Sequence, residues 1–130
     1  TEELYKVTGN VIDPYYGYTK MIWIRENEPE NWAKIYRFET PHAYVIRQIT
    51  GEENIDFSSA GNYGGIFNLK KRDWSPEMME ELGIPRDYFP EKILSSEEIV
   101  GEVISEASKL TGLAKGTPLC AGGIDACLST

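Results

Sequence analysis

The sequence predicts a helix-rich α/β piece with few strands, and three observations carry that expectation. Apolar residues recur at helical spacing in stretches that open on Thr or Ser and close on Gly: Thr40 to Gly51, Ser75 to Gly83 and Ser105 to Gly112. In the first two of these Pro41 and Pro76 stand at the first helical position, where a missing N–H costs nothing. Only three short apolar runs bounded by turn residues read as strands: Gly64 to Leu69, Glu98 to Val103 and Pro118 to Ala121.

A chain of 130 residues is long enough for one domain with a core and too short for two. Hydrophobic residues at 41% and charged residues at 26% are the balance of an ordinary globular protein, which argues against disorder. The net charge is -8, from 21 acidic and 13 basic residues. Such a surface repels polyanions, so no nucleic acid and no anionic membrane is expected as partner. Lys70-Lys71-Arg72 is too brief to change this. No apolar run has the length of a membrane span, and Thr1-Glu2-Glu3 does not start a signal peptide, so the expected location is cytoplasmic. Cys120 and Cys127 are seven apart, a spacing of neither a zinc knuckle nor a CxxC pair; they read as reduced, buried small side chains. The chain starts without Met and stops as an apolar helix begins after Asp125, the expectation for a fragment of a longer protein.

Taken in order, Val7 to Pro14 is a turn-rich loop leading to Tyr15-Tyr16-Gly17-Tyr18, whose rings either pack under a loop or line a polar pocket with their hydroxyls. Thr19 reads as the N-cap of an apolar helix through Met21, Ile22, Trp23 and Ile24 that ends before Glu28-Pro29. Pro29 starts a further helix in which Trp32, Ile35 and Tyr36 share a face. In the helix after Thr40-Pro41, His42 has no partner nearby in sequence for a metal site or a Ser-His-Asp triad and reads as a surface residue. Asp56 precedes Phe57-Ser58-Ser59-Ala60 and is more readily an N-cap than a ligand. No GxxxxGK[ST] or GxGxxG pattern follows a strand, so the glycines form no phosphate loop. Pro85 to Phe89 reads as a short turn.

The chemistry is expected at Pro118 to Cys127. Pro118 to Ala121 reads as a fully buried strand, Gly122-Gly123 as a sharp turn open to close approach, and Asp125 as a carboxylate presented just past the strand's carboxyl end. An Asp beside Gly often only closes a turn or caps a helix, so this stretch alone leaves both readings standing.

Three segments together resemble the FGGY family of carbohydrate kinases. Asp13-Pro14-Tyr15-Tyr16-Gly17-Tyr18-Thr19-Lys20-Met21-Ile22-Trp23, continuing to Glu30, is similar to the signature in which Lys, an apolar residue, any residue and Trp precede an acidic or amide pair. Ile55-Asp56-Phe57-Ser58-Ser59-Ala60-Gly61, then Phe67-Asn68 and Asp73-Trp74-Ser75, follow at family-like spacing. Ala121-Gly122-Gly123-Ile124-Asp125-Ala126 resembles the glycine-rich segment with the family's catalytic aspartate. Gly17 departs from the Pro, Ser or Thr usual at its place, which leaves the substrate subclass open. Val11 to Tyr16 is similar to glycerol kinases, whereas Asn27 to Glu30 and Gly122-Gly123 look more like xylulokinases.

The resemblance implies a fold and a reaction. Residues 1–130 would be the second half of a ribonuclease-H-like (actin/hexokinase-type) N-terminal domain, the substrate domain of a two-domain kinase. The strand-turn that handles phosphate and metal and the C-terminal nucleotide domain would lie outside it, so ATP and Mg²⁺ would be bound largely by other parts, and the fragment alone would be inactive. The substrate would be a small-molecule sugar or polyol, D-xylulose first, with glycerol or gluconate as alternatives in the family; a homodimer is left open. Asp125 carries over as general base and Tyr15 as a substrate hydroxyl contact. A non-catalytic carbohydrate-binding domain of the same fold is the alternative class. Phosphoryl transfer asks for positioning and for a group to accept the alcohol proton, which a carboxylate on a rigid turn can supply.

Overall fold

The computed structural model describes residues 2–129. In chain order the elements are α1 (Glu2–Thr8), α2 (Gly17–Asn27), α3 (Pro29–Trp32), α4 (Pro41–Thr50), β1 (Ile55–Asp56), α5 (Phe57–Asn62), β2 (Phe67–Asn68), β3 (Asp73–Trp74), α6 (Pro76–Leu82), a 3-10 turn (Arg86–Tyr88), β4 (Ile93–Leu94), β5 (Ile99–Glu102), α7 (Ser105–Thr111), β6 (Pro118–Cys120) and α8 (Asp125–Leu128). The strands pair as three two-stranded sheets, so helix dominates as the sequence predicts. Among the described residues no helix is long and apolar enough to cross a membrane.

The chain divides into two compact units, Thr1–Phe38 with Ala60–Phe89, and Glu39–Ser59 with Pro90–Thr130. In the first, β2 and β3 form an antiparallel ladder with Phe67 opposite Trp74. Aromatic rings fill its centre: Phe89, 1% exposed, meets Trp74 at 4.8 Å, Tyr63 at 5.4 Å edge-on and Phe38 at 5.8 Å stacked. Such offset and edge-on pairs place positive ring edges against negative faces and stabilise beyond area burial alone. Ser75 caps α6, its hydroxyl oxygen accepting from the Met78 N–H, and Gly83 closes that helix at φ 64°.

α2 begins three residues earlier than expected. Tyr16, not Thr19, occupies the N-cap position, and the Thr19 hydroxyl lies inside the first turn, donating to the Tyr16 carbonyl at 2.8 Å. α3 is a single turn ending at Trp32. The expected continuation through Ile35 and Tyr36 fails because the backbone turns away to pair elsewhere: the Phe38 N–H donates to the Tyr88 carbonyl at 2.8 Å.

In the second unit β1 runs parallel to β4, with Ile55 opposite Ile93 and Asp56 opposite Leu94, and β5 runs antiparallel to β6. α4 packs on β5 and α7. Ile46, Val100 and Ala121 form the buried cluster, with Leu94 and Leu119 against it. Gly101 lets this packing be close, since a Cβ would stand 3.1 Å from the Thr50 Cβ at the end of α4. α4 and α7 end on Gly51 and Gly112, at φ 81° and 80°, the left-handed conformation glycine adopts without strain. Ile104 rather than Ser105 is the N-cap of α7.

Two expectations near the glycine turn are corrected. β6 is not a fully buried strand: Pro118 and Cys120 are exposed, Leu119 is half-buried, and only Ala121 beyond it is enclosed. The strand pairs with β5 on one side alone, so one of its edges meets no other described strand. Both cysteines are exposed rather than buried: Cys120 lies on that one-sided strand and Cys127 on α8.

Candidate active site

Asp125 is the first residue of α8 and is exposed; its carboxylate accepts from the Ala126 N–H at 2.8 Å. The turn before it is pinned. Gly122 sits at φ 68°, a left-handed conformation in which any side chain would be strained by about 1–2 kcal/mol. Its N–H donates to the Ser96 carbonyl at 3.0 Å, and the Ala121 N–H to the Glu98 carbonyl at 2.9 Å. On the other side of the turn the Ile124 N–H donates to the Ser58 hydroxyl at 3.0 Å, across 66 positions of sequence.

Ser58 belongs to a cluster around Asp56, which ends β1 and is 0% exposed. As the sequence suggests, Asp56 caps α5: its Oδ1 accepts from the Ser59 N–H at 3.0 Å, and also from the Ser58 hydroxyl. Its Oδ2 lies 2.8 Å from Nε2 of His42. Burial alone would raise the Asp56 carboxyl, but hydrogen bonds from the Ser58 and Ser59 hydroxyls, the Ser59 N–H and His42 outweigh it and hold the group below the usual carboxylate range. The carboxylate is therefore ionised at neutral pH and can only accept, which makes the His42 Nε2 a donor.

His42 is thus not the surface residue that its sequence neighbours suggest; its side chain is 30% exposed and tied to a buried partner. Nor is the cluster a hydrolytic triad. A relay needs the carboxylate on one ring nitrogen and the hydroxyl on the other. Here Asp56 and the Ser59 hydroxyl, 3.4 Å away, both face Nε2. His42 and Asp56 stand 14 residues apart, so no local pattern announces the pair; the only sequence signal is the capping pattern after Asp56.

Tyr15 lies in the other unit, 70% exposed, its ring edge-on to Tyr16 at 5.7 Å. Its hydroxyl makes no hydrogen bond among the described residues, whereas its backbone is held firmly. The Tyr15 N–H donates to the Asp13 carboxylate at 2.8 Å, and the Lys20 ammonium donates to the carbonyls of Pro14 at 2.9 Å, Tyr15 at 2.5 Å and Tyr16 at 3.4 Å. Lys20 reaches back from α2 to gather the carbonyls of the loop that precedes it, and so the phenol is presented on a turn fixed at its backbone. Tyr18, by contrast, is buried, its ring packed within the unit. Trp23, on the outer side of α2, is 55% exposed and lines an apolar groove of about 670 Å³ with Pro14 and Ile24.

Among the described residues no group of three or more His, Cys, Asp or Glu side chains could hold a metal ion. The described residues thus present no complete ligand set for the divalent ion that the resemblance implies.

The N-terminal domain of the FGGY family of carbohydrate kinases matches residues 1–130, the whole chain. The xylulose kinase of Escherichia coli (strain K12) is 33% identical over 119 residues, covering 92% of this chain and 24% of that protein. The glycerol kinase of Oleidesulfovibrio alaskensis is 32% identical over 137 residues, covering 98% of this chain and 27% of that protein. The crystal structure of the ligand-bound xylulose kinase from Lactobacillus acidophilus superimposes with a TM-score of 0.88 at 26% identity, over 99% of this chain and 26% of that one. The chain spans about a quarter of the length of these relatives. A match over every residue, the fold shared with sugar kinases of the actin/hexokinase type and the glycine turn that carries Asp125 lead to one conclusion: the chain belongs to the FGGY family of carbohydrate kinases.

Proposed function

We propose that the full-length protein is an ATP-dependent kinase that phosphorylates a hydroxyl of a sugar or polyol, D-xylulose first among them. Residues 1–130 are its substrate-side portion, with Asp125 as general base and Tyr15 as a substrate contact. ATP supplies the phosphoryl group, and parts of the protein outside this chain bind it. The observation that carries the reading is the exposed carboxylate of Asp125 at the start of α8, behind a turn pinned on both sides. A sugar hydroxyl is a weak nucleophile at neutral pH. A fixed carboxylate within hydrogen-bonding reach orients it toward the phosphorus and takes its proton as the new P–O bond forms. The likeness to a glycerol kinase is a specific reason to keep glycerol as the second substrate reading.

The test is ADP release by the full-length protein with ATP and a panel of D-xylulose, glycerol and gluconate. The expected result is sugar-dependent turnover with the highest kcat/KM for D-xylulose; no turnover with any member would refute the kinase reading. The 130-residue chain alone is expected to show no sugar-dependent turnover, and a rate near that of the intact protein would contradict the assignment of nucleotide binding to other parts.

Tyr15 allows a finer check. If its exposed hydroxyl meets the sugar, Tyr15→Phe leaves a polar partner unmet and lowers kcat/KM for the sugar by about 1–3 kcal/mol, with KM for ATP unchanged. An unaltered kcat/KM for the sugar would make Tyr15 a packing residue only.

A further inference from the structure

We propose that Ser58, its hydroxyl oriented by Asp56, is a positioning residue that holds the turn presenting Asp125; this rests on the reading of Asp125 as general base. A serine hydroxyl has one proton to give. The Ser58 proton goes to the buried Asp56 carboxylate, so the oxygen's lone pairs must serve as acceptor, and the donor they meet is the Ile124 N–H at 3.0 Å. Ile124 is the residue immediately before Asp125 and the N-cap of α8. The Asp56 carboxylate is itself fixed by the Ser59 N–H at 3.0 Å and by His42 Nε2 at 2.8 Å, and its burial keeps water from competing. The order of dependence runs from His42 to Asp56, to the Ser58 rotor, to the backbone at Ile124 and so to Asp125.

Two features exceed what a helix cap requires. Capping α5 needs only the bond from the Ser59 N–H to Asp56, yet the Ser58 hydroxyl spans to a segment 66 residues away. Gly123 leaves the space for it: a Cβ there would lie 3.1 Å from the Ser58 Oγ, 3.3 Å from the Ser96 Oγ and 3.5 Å from the Asp56 Oδ1. A misplacement of a reacting group by about 1 Å can cost on the order of 10²-fold in rate, so a loosened turn should appear in turnover rather than in sugar affinity.

The test compares Ser58→Ala, Ser58→Thr and Asp125→Asn in the full-length protein with D-xylulose and ATP. Ser58→Ala is expected to lower kcat by about 10- to 10²-fold with KM for the sugar within about threefold. Hydrogen exchange at the Ile124 amide should quicken by about tenfold or more, and Ser58→Thr, which keeps the hydroxyl, should restore both. If Ser58→Ala does not accumulate as folded protein, Ser58→Cys, of similar volume and poorer as an acceptor, carries the same expectation. A kcat within twofold of the parent for the folded Ala or Cys variant, or a Thr variant as impaired as Ala, overturns the positioning role. If that happens while Asp125→Asn is inactive, the general-base reading stands. Asp125→Asn at the parental rate overturns both.

Discussion

Asp125→Asn in the full-length enzyme should lose on the order of 10²- to 10⁴-fold in kcat, the usual contribution of a positioned general base. Asparagine keeps the size of the side chain and can still cap the first turn of α8 through its carbonyl oxygen, so the Ala126 N–H keeps its partner. What it lacks is basicity. The sugar hydroxyl then has no group to receive its proton as the phosphoryl group arrives, while sugar and nucleotide still bind. Single-turnover kinetics reads the first effect and calorimetry the second. A variant that turns over within a few-fold of the parent would make Asp125 a turn residue, the role that an aspartate beside glycines commonly has.

Asp56→Ala should be the most damaging change to the second unit, at about 3 kcal/mol. It removes at once the cap on the Ser59 N–H, the acceptor for the Ser58 hydroxyl and the partner of His42. Each of these groups lies in or near the interior, where an unmet donor costs far more than at the surface. The measurement is native-state hydrogen exchange of the full-length protein, in which the amides of β1, the first turn of α5 and residues 122–124 should exchange about 10²-fold faster. Unchanged exchange would show that the cluster contributes nothing. The effect also has a direction in pH. The folded-state carboxyl of Asp56 is held below its unfolded value of roughly 3.9, so its contribution is fully present above that pH and is lost as the pH falls through the lower, folded-state value. The part of the gap between parent and Asp56→Ala that comes from this carboxyl should therefore close as the pH falls through its folded-state value.

What could be read from the sequence was local chemistry. Pro41 with Gly51, and Ser75-Pro76 with Gly83, mark their helices because capping and left-handed closure depend on residues within a turn of one another. The cap role of Asp56 was legible for the same reason: its acceptor and the Ser59 N–H are three residues apart. Two failures are local, Tyr16 and Ile104 standing at the caps expected of Thr19 and Ser105, but the larger ones involve partners distant in sequence. β6 is apolar enough for a buried strand, but the number of neighbours a strand acquires is set by the sheet and not by its own residues. α3 stops at Trp32 because the Phe38 backbone finds the Tyr88 carbonyl, some fifty residues on. His42 has no partner within its own stretch of sequence, because α4 and the end of β1 must pack side by side before the imidazole and the carboxylate can meet. In the candidate site the residue types and the glycine turn were therefore visible, whereas the hydrogen bonds that hold the turn were not.

If Asp125 is the base it must touch the reacting hydroxyl, a contact that a crystal structure of the full-length protein with D-xylulose bound would reveal. The expected result is an acceptor hydroxyl about 2.6–3.2 Å from a carboxylate oxygen of Asp125, with the Ile124 N–H still on the Ser58 hydroxyl. A bound sugar whose hydroxyls all lie beyond hydrogen-bonding reach of Asp125, with another group of the protein against the hydroxyl that becomes phosphorylated, would contradict it.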